Sequence, residues 1–278
     1  MRRVKGARVF PAEGIRLNPN SPLANRLVAG WVPSAASGII GRGKGAGIVR
    51  DLVHGNHAAI LDLDFQSNPV FGRGLYCDGT TGDWAQAPVL HTDYLTAGFI
   101  SLAAWIHTGT LGTATRQIFT NDGYPGQTRC WQFRVVNKKL HAHFWNSAAA
   151  NSDTTGASTL ADNTTYFVAA TWDGAVVRLY VNGIQDAQSN FAGTAAATPQ
   201  TVPWIGEGKA PYITGPWNGA IGPCLWWKRW LSPQEIWTLW NPLTRWSLFS
   251  VPMPLARLSS GGAPPAGRRR SWAAIIGG

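Results

Sequence analysis

Residues 166–183 read Y-F-V-A-A-T-W-D-G-A-V-V-R-L-Y-V-N-G. Two runs of β-branched and aromatic residues, 166–172 and 176–181, are divided by Asp173-Gly174 and closed by Asn182-Gly183. Asx-Gly pairs supply the positive φ angles that tight hairpin turns demand, so the spacing predicts a β-meander. Within the second run Val177, Leu179 and Val181 share one face while Val176, Arg178 and Tyr180 share the other. One side is expected to pack and the other to stay free for solvent or a ligand.

The same pattern continues outward. Residues 99–106 (F-I-S-L-A-A-W-I) alternate as a half-buried strand, and W-Q-F-R-V-V (131–136) with L-H-A-H-F-W (140–145) forms a second hairpin turning at Asn137-Lys138. Its alternation sets Trp131, Phe133, Val135, Leu140, Ala142 and Phe144 on one face and Gln132, Arg134, His141, His143 and Trp145 on the other. His141 and His143 have a spacing that chelates a transition metal, but the sequence nominates no third ligand, and a solvated polar sheet face is the plainer reading. Residues 146–165 and 192–200 are polar surface loops. Ser232, Pro233 and Glu235 spell a helix start, with a capping serine, a first-turn proline and a capping box, and Asn241-Pro242 ends that helix.

Thirty-two glycines, 18 prolines and 15 tryptophans among 278 residues, with only 14% charged, describe a turn-rich β protein of one domain. So many aromatic residues exceed the needs of one core and place some tryptophans in interfaces. The net charge of +10 is uneven: residues 1–50 hold nine Lys or Arg against one acid, residues 51–250 hold eleven against thirteen, and residues 251–278 hold four against none. Basic ends on a near-neutral body suit an acidic protein surface, and nucleic acid is the weaker reading because no nucleic-acid-binding motif accompanies the charge. Cys77, Cys130 and Cys224, an odd set without C-x-x-C spacing, point to buried free thiols rather than a disulfide framework or zinc knuckle. The opening M-R-R-V-K-G-A-R lacks an apolar segment and no run reaches membrane-spanning length, so neither a signal peptide nor a membrane span is expected. Past residue 252, S-S-G-G-A-P-P-A-G (259–267), three arginines and S-W-A-A-I-I-G-G read as a linker with a basic and apolar tip. The expected division is a basic arm over 1–16, a folded domain over 17–252 and a tail over 253–278.

The T-W-D-G and R-L-Y-V-N-G segments of the meander resemble the laminin-G-like, concanavalin A-like jelly-roll family. R-D-L-V-H-G-N-H-A-A-I (50–60) and F-G-R-G-L-Y-C-D-G-T-T-G-D-W (71–84) are similar to its D-x-x-G-x-x-N-H-G and F-G-x-A-L-x-F-D-G-x-x-D-Y segments. The flanks, L-N-P-N-S-P-L-A-N-R-L-V-A-G-W-V (17–32) and N-P-L-T-R-W-S-L-F-S-V-P (241–252), resemble those of phage-encoded members. The resemblance implies an all-β, concanavalin A-like jelly-roll β-sandwich of two antiparallel sheets, with one short C-terminal helix and extended N- and C-terminal arms. It also implies calcium, which many relatives hold with main-chain oxygens and an acid on a late strand reading G-x-I-D-D-V; Asp78 and Asp83 are the candidate side chains. Here that strand reads G-A-I-G-P-C (219–224), so Gly222 and Pro223 replace the acids. This argues against the ion and makes an Asx-turn the reading of Asp78.

Glycoside hydrolysis needs two carboxylates about 5–10 Å apart, and hydrolases of this fold carry them on an E-x-D-x-x-E strand that this chain lacks. Glu13 lies in the arm, Glu235 caps a helix and Glu207 has no acid near it in sequence; no G-x-S-x-G is present either. The expectation is therefore a protein without enzymatic activity. Sugars are held by flat aromatic faces and planar polar groups, and Asn121, Asp122, Tyr124, Trp145, Asn146, Tyr212 and Trp217 are the loop candidates. Arg2, Arg3, Lys5, Arg8, Arg268, Arg269 and Arg270, with Trp272, Ile275 and Ile276, are expected to anchor the chain to other virion proteins. The expected role is a homo-oligomeric or multi-copy phage virion structural protein, located on the virion as a capsid decoration, fibre or tail component and displaying a lectin-like surface to host polysaccharide. The alternatives are a free-standing carbohydrate-binding module and a glycoside-active jelly-roll enzyme.

Overall fold

The computed structural model describes residues 15–33, 45–88, 99–121, 130–196, 202–208 and 215–250. Its strands in chain order are β1 (Arg16–Leu17), β2 (Leu27–Val32), β3 (Gly45–Asp51), β4 (Ala58–Asn68), β5 (Gly72–Asp78), β6 (Trp84–Gln86), β7 (Ile100–Thr108), β8 (Arg116–Asn121) and β9 (Trp131–Val136). They continue as β10 (Lys139–Phe144), β11 (Thr154–Thr155), β12 (Thr165–Trp172), β13 (Val176–Val181), β14 (Ile184–Asn190), β15 (Trp204–Ile205), β16 (Asn218–Trp227) and β17 (Phe249–Ser250), with helix α1 (Pro233–Trp240) between the last two.

Two antiparallel sheets face each other. The first runs β14-β13-β12-β7-β16, beyond which β16 pairs β5 with its first half and β2 with its second. The second runs β11-β10-β9-β8-β15-β6-β4-β3. β3 and β4 belong to both: β3 pairs β2 as well as β4, and β4 pairs β6 through Ala59, Ile60 and Leu61 but β5 from Asp64 onward. Between those two stretches Asp62 adopts a φ of +55°, a left-handed residue that lets one strand leave one sheet for the other, and Asp is among the few side chains that tolerate it. The predicted hairpins are present. Asn137, Lys138, Asn182 and Gly183 all have positive φ, and the Asp173 carboxylate accepts from the amides of Ala175 and Val176.

Every residue assigned to the packed face of the 131–145 hairpin lies in the core between the sheets, with Trp31, Trp172, Trp217 and Val177. The opposite face of the first sheet is not free, contrary to the expectation for Tyr180. A second apolar layer buries it, formed by Leu231, Ile236, Leu239, Trp246 and Leu248 of the C-terminal segment against Trp105, Phe167, Tyr180 and Trp227. The two packed layers take in many of the tryptophans, while Trp230 and Trp237 stay exposed. Several of the indole nitrogens are met by carbonyls, Trp31 Nε1 donating to Asn56 O at 3.0 Å, Trp172 to Phe191 O at 2.8 Å and Trp227 to Leu23 O at 2.6 Å, whereas the buried Trp131 Nε1 has no partner among the described residues.

Two segments of the family pattern have a structural account. The buried Asp51 carboxylate accepts from the amides of Gly30, Val53, His54 and Asn56 at 2.9–3.1 Å, fixing the loop that follows β3. Phe71 packs where a Cβ on Gly74 or on Gly222 would approach it to 2.8 Å, so the late strand is glycine here because an aromatic ring fills the space. The three cysteines are buried thiols, none of them in a disulfide. β1 pairs with β17 in the register Arg16 to Ser250 and Leu17 to Phe249, which brings the two ends of the described fold together. No helix among the described residues is long and apolar enough to cross a membrane.

Candidate functional site

The registers of the second sheet line up one transverse row of side chains on its outward face. Ala59 pairs with Gln86, Gln86 with Trp204, Trp204 with Thr120, Thr120 with Gln132 and Gln132 with His143, so six strands each contribute one residue. Trp84 lies two residues before Gln86 and meets Trp204 edge-on, ring centroids 4.6 Å apart, with the exposed Leu61 opposite it. The row is sheltered at its centre, where Thr120, Gln132 and Trp204 are buried, and opens towards Ala59, Trp84, Gln86 and His143. In the adjoining row Gln117 pairs with Arg134 and Arg134 with His141. The buried Gln117 Oε1 has no hydrogen-bond partner among the described residues. An aromatic pair whose half-buried member, Trp84, lies beside the half-buried Gln86 amide can stack on a ring and bond its hydroxyls, while Gln117 is too deeply buried to take part.

At the β10 end of the row the polar face closes into a network. Arg134 Nε donates to His141 Nδ1 at 3.1 Å, and Asp153 Oδ1 takes a hydrogen bond from His141 Nε2 and lies 3.3 Å from His143 Nε2. His143 packs edge-on against Trp145 with centroids 5.1 Å apart. Burial, and then the Arg134 charge, pull His141 down to about 4, so it is neutral at physiological pH. Burial would raise Asp153, but the two histidines outweigh it and hold the carboxyl below its ordinary range.

A second polar cluster surrounds the turn after β5. Asp78 Oδ1 accepts from Thr80 N at 2.8 Å, the expected Asx-turn, and Asp83 Oδ2 accepts from Asp78 N at 2.9 Å. Glu207, from the segment after β15, accepts from Gly82 N at 2.7 Å through Oε2, while its buried Oε1 is unpartnered among the described residues. Burial and then the Asp83 charge push the Glu207 carboxyl upward. Glu207 thus has an acidic neighbour in space that the sequence alone did not reveal. For calcium the donor set fits poorly at Asp78, whose carboxylate is committed to its own turn; the Asp83 and Glu207 carboxylates are what a hard cation would find here.

The loop candidates for sugar contact need correction. Trp217 is fully buried and donates to His107 O at 3.3 Å, so neither of its faces is free. Asn121 pairs with Trp131 and points into the core, where both of its amide atoms lack partners among the described residues. Asn146 is buried and organises its own turn, its Oδ1 accepting from Ala148 and Ala150 and its Nδ2 donating to Ala192 O. Trp145 is buried beside His143. Asp122, Tyr124 and Tyr212 lie outside the described residues, as do the anchoring candidates Arg2, Arg3, Lys5, Arg8, Arg268, Arg269, Arg270, Trp272, Ile275 and Ile276.

A family model described as the concanavalin A-like lectin/glucanases superfamily matches residues 78–237. The chain belongs to that superfamily. No curated protein matches this concanavalin A-like chain. Among solved structures it is similar to the binding domain of Paraclostridial Mosquitocidal Protein 1, with a TM-score of 0.61 at 10% identity over 79% of this chain and 52% of that one. It is likewise similar to the binding domain of botulinum neurotoxin serotype C1 (TM-score 0.57, 13% identity, 80% and 53% coverage) and to Trypanosoma rangeli sialidase (0.55, 17%, 81% and 35%). At such identities the likeness is one of fold. The concanavalin A-like chain spans about half the length of the two toxin domains and about a third of the sialidase.

Proposed function

We propose that this chain is a non-enzymatic, lectin-like module that binds host-surface polysaccharide and is carried on a phage virion as a capsid decoration, fibre or tail component. The observation behind the binding role is the open end of the transverse row on the second sheet, where the half-buried Trp84, backed edge-on by the buried Trp204, sets stacking surface beside the half-buried Gln86 amide and the exposed Leu61. A superfamily of lectins and glucanases, and neighbours titled as binding domains, fit that use. The virion setting is supported by the basic ends of the sequence and by the β1–β17 pair, which starts both ends from one place for multi-copy attachment to an acidic capsid or tail protein.

A glycan array probed with the full chain, the Trp84→Ala variant and the Gln86→Ala variant tests the binding role. The expected outcome is retention of one polysaccharide class by the parent and at least a tenfold loss in both variants, each still folded by circular dichroism. Binding that survives both substitutions would place the sugar elsewhere.

A second reading has one observation behind it. Glycosidases use two carboxyl groups, one raised, and Asp83 and Glu207 approach that description. Both are buried, and each gives an oxygen to the backbone of the same turn, which is a scaffold's use of a carboxylate. Release of reducing ends from a bound polysaccharide by the parent but not by Glu207→Gln would establish the enzymatic reading.

A further inference from the structure

We infer that His141, His143 and Asp153 form a binding site for a single transition-metal ion of the zinc class, at the β10 end of the second sheet. His141 and His143 alternate onto one face of β10, and the chain returns through β11, which pairs Thr154 with Ala142 and Thr155 with His141 and so delivers Asp153 against both rings. One ring nitrogen of each histidine and one carboxylate oxygen of Asp153 lie within 4.8 Å of one another. Ligands about 2 Å from an ion at tetrahedral angles sit about 3.3 Å apart; His143 Nε2 already lies 3.3 Å from Asp153 Oδ1, while His141 Nε2, hydrogen-bonded to the same oxygen, must give up that bond and draw back to admit the ion. Two imidazoles and one carboxylate, with further positions for water, suit zinc, cobalt or nickel rather than calcium, which takes oxygen donors alone. The ion has an approach, since the Asp153 side chain is 65% exposed while His141 is buried behind it.

Arg134 sets the affinity. An ion on His141 Nε2 requires the ring proton on Nδ1, and Nδ1 faces the Arg134 Nε–H donor. Metal-bound histidines ordinarily donate from their other nitrogen to an acceptor. The guanidinium must therefore turn aside before the ion seats, and a glutamine there would supply the acceptor that is missing.

The test uses tag-free protein, titrated with Co2+ by visible absorption and with Zn2+ by calorimetry. One ion per chain is expected, with Zn2+ displacing Co2+ and raising the thermal midpoint. Asp153→Asn, at an exposed position that leaves the fold intact, and His143→Ala are each expected to weaken binding at least tenfold. Arg134→Gln is expected to tighten it severalfold. A parent that takes up no ion, an ion retained unchanged by Asp153→Asn and His143→Ala, or an Arg134→Gln variant that binds no more tightly would each overturn the site.

Discussion

Glu207 has its largest effect through the charge it carries. Its carboxyl is pushed up by burial and by Asp83, so the native state holds a proton over a pH interval in which the unfolded chain, near the ordinary glutamate value of about 4.3, has lost it. Stability therefore falls as pH rises through that interval and stays lowered above it. Glu207→Gln carries no such charge and is expected to raise the urea midpoint at about pH 7, with the gain vanishing at about pH 3.5, where the Glu207 carboxyl is largely protonated in the folded and the unfolded chain alike. A loss at neutral pH would instead reveal a cation held between Asp83 and Glu207. Residues at this scale were unevenly legible. Asp78 announced its Asx-turn because the hydrogen bond spans two residues, whereas the partnership of Asp83 with Glu207 joins positions 124 residues apart in the chain, a separation that no local pattern records. Asp153 left a faint signal: an acid ten residues beyond a His-x-His strand, at the distance one hairpin return covers.

Helix α1 shows what a short element needs in order to persist. Its eight residues are too few to be stable alone, and three features hold it: Ser232 Oγ accepts from Glu235 N at 3.3 Å, Glu235 Oε2 accepts from Ser232 N at 2.9 Å, and Arg229 grips Glu235 through contacts of 3.0 and 2.6 Å. Burial would raise Glu235, yet Arg229 and Ser232 outweigh it and keep the carboxylate ionised. Ser232→Ala is expected to cost about 1 kcal/mol in denaturant unfolding. The loss should appear together with greater exposure of the second apolar layer, seen as dye binding or faster amide exchange around Trp105, because α1 supplies Ile236 and Leu239 to that layer. The helix itself was readable from its cap. Its role as a cover for Tyr180 was not, although an apolar pair on a short helix at the end of a β protein already demands a sheet face to lie on.

For the whole molecule, the sandwich was foreseeable from alternation and Asx-Gly turns, but the transverse row was not. It draws one residue each from β4, β6, β15, β8, β9 and β10, and the order of those strands comes from topology rather than from any stretch of sequence. A chain trimmed to residues 15–252 keeps β1, β17 and both apolar layers, so it is expected to unfold at the same temperature as the full chain while losing occupancy on particles assembled in its presence. Undiminished occupancy would count against attachment through the ends. The pairing of Arg16 with Ser250 has a mechanical corollary. Strain applied between two such adjacent exits peels a two-residue ladder one rung at a time and bypasses the long strands behind it. The same adjacency allows the entire sandwich to be spliced into a surface loop of a host protein without stretching either flank.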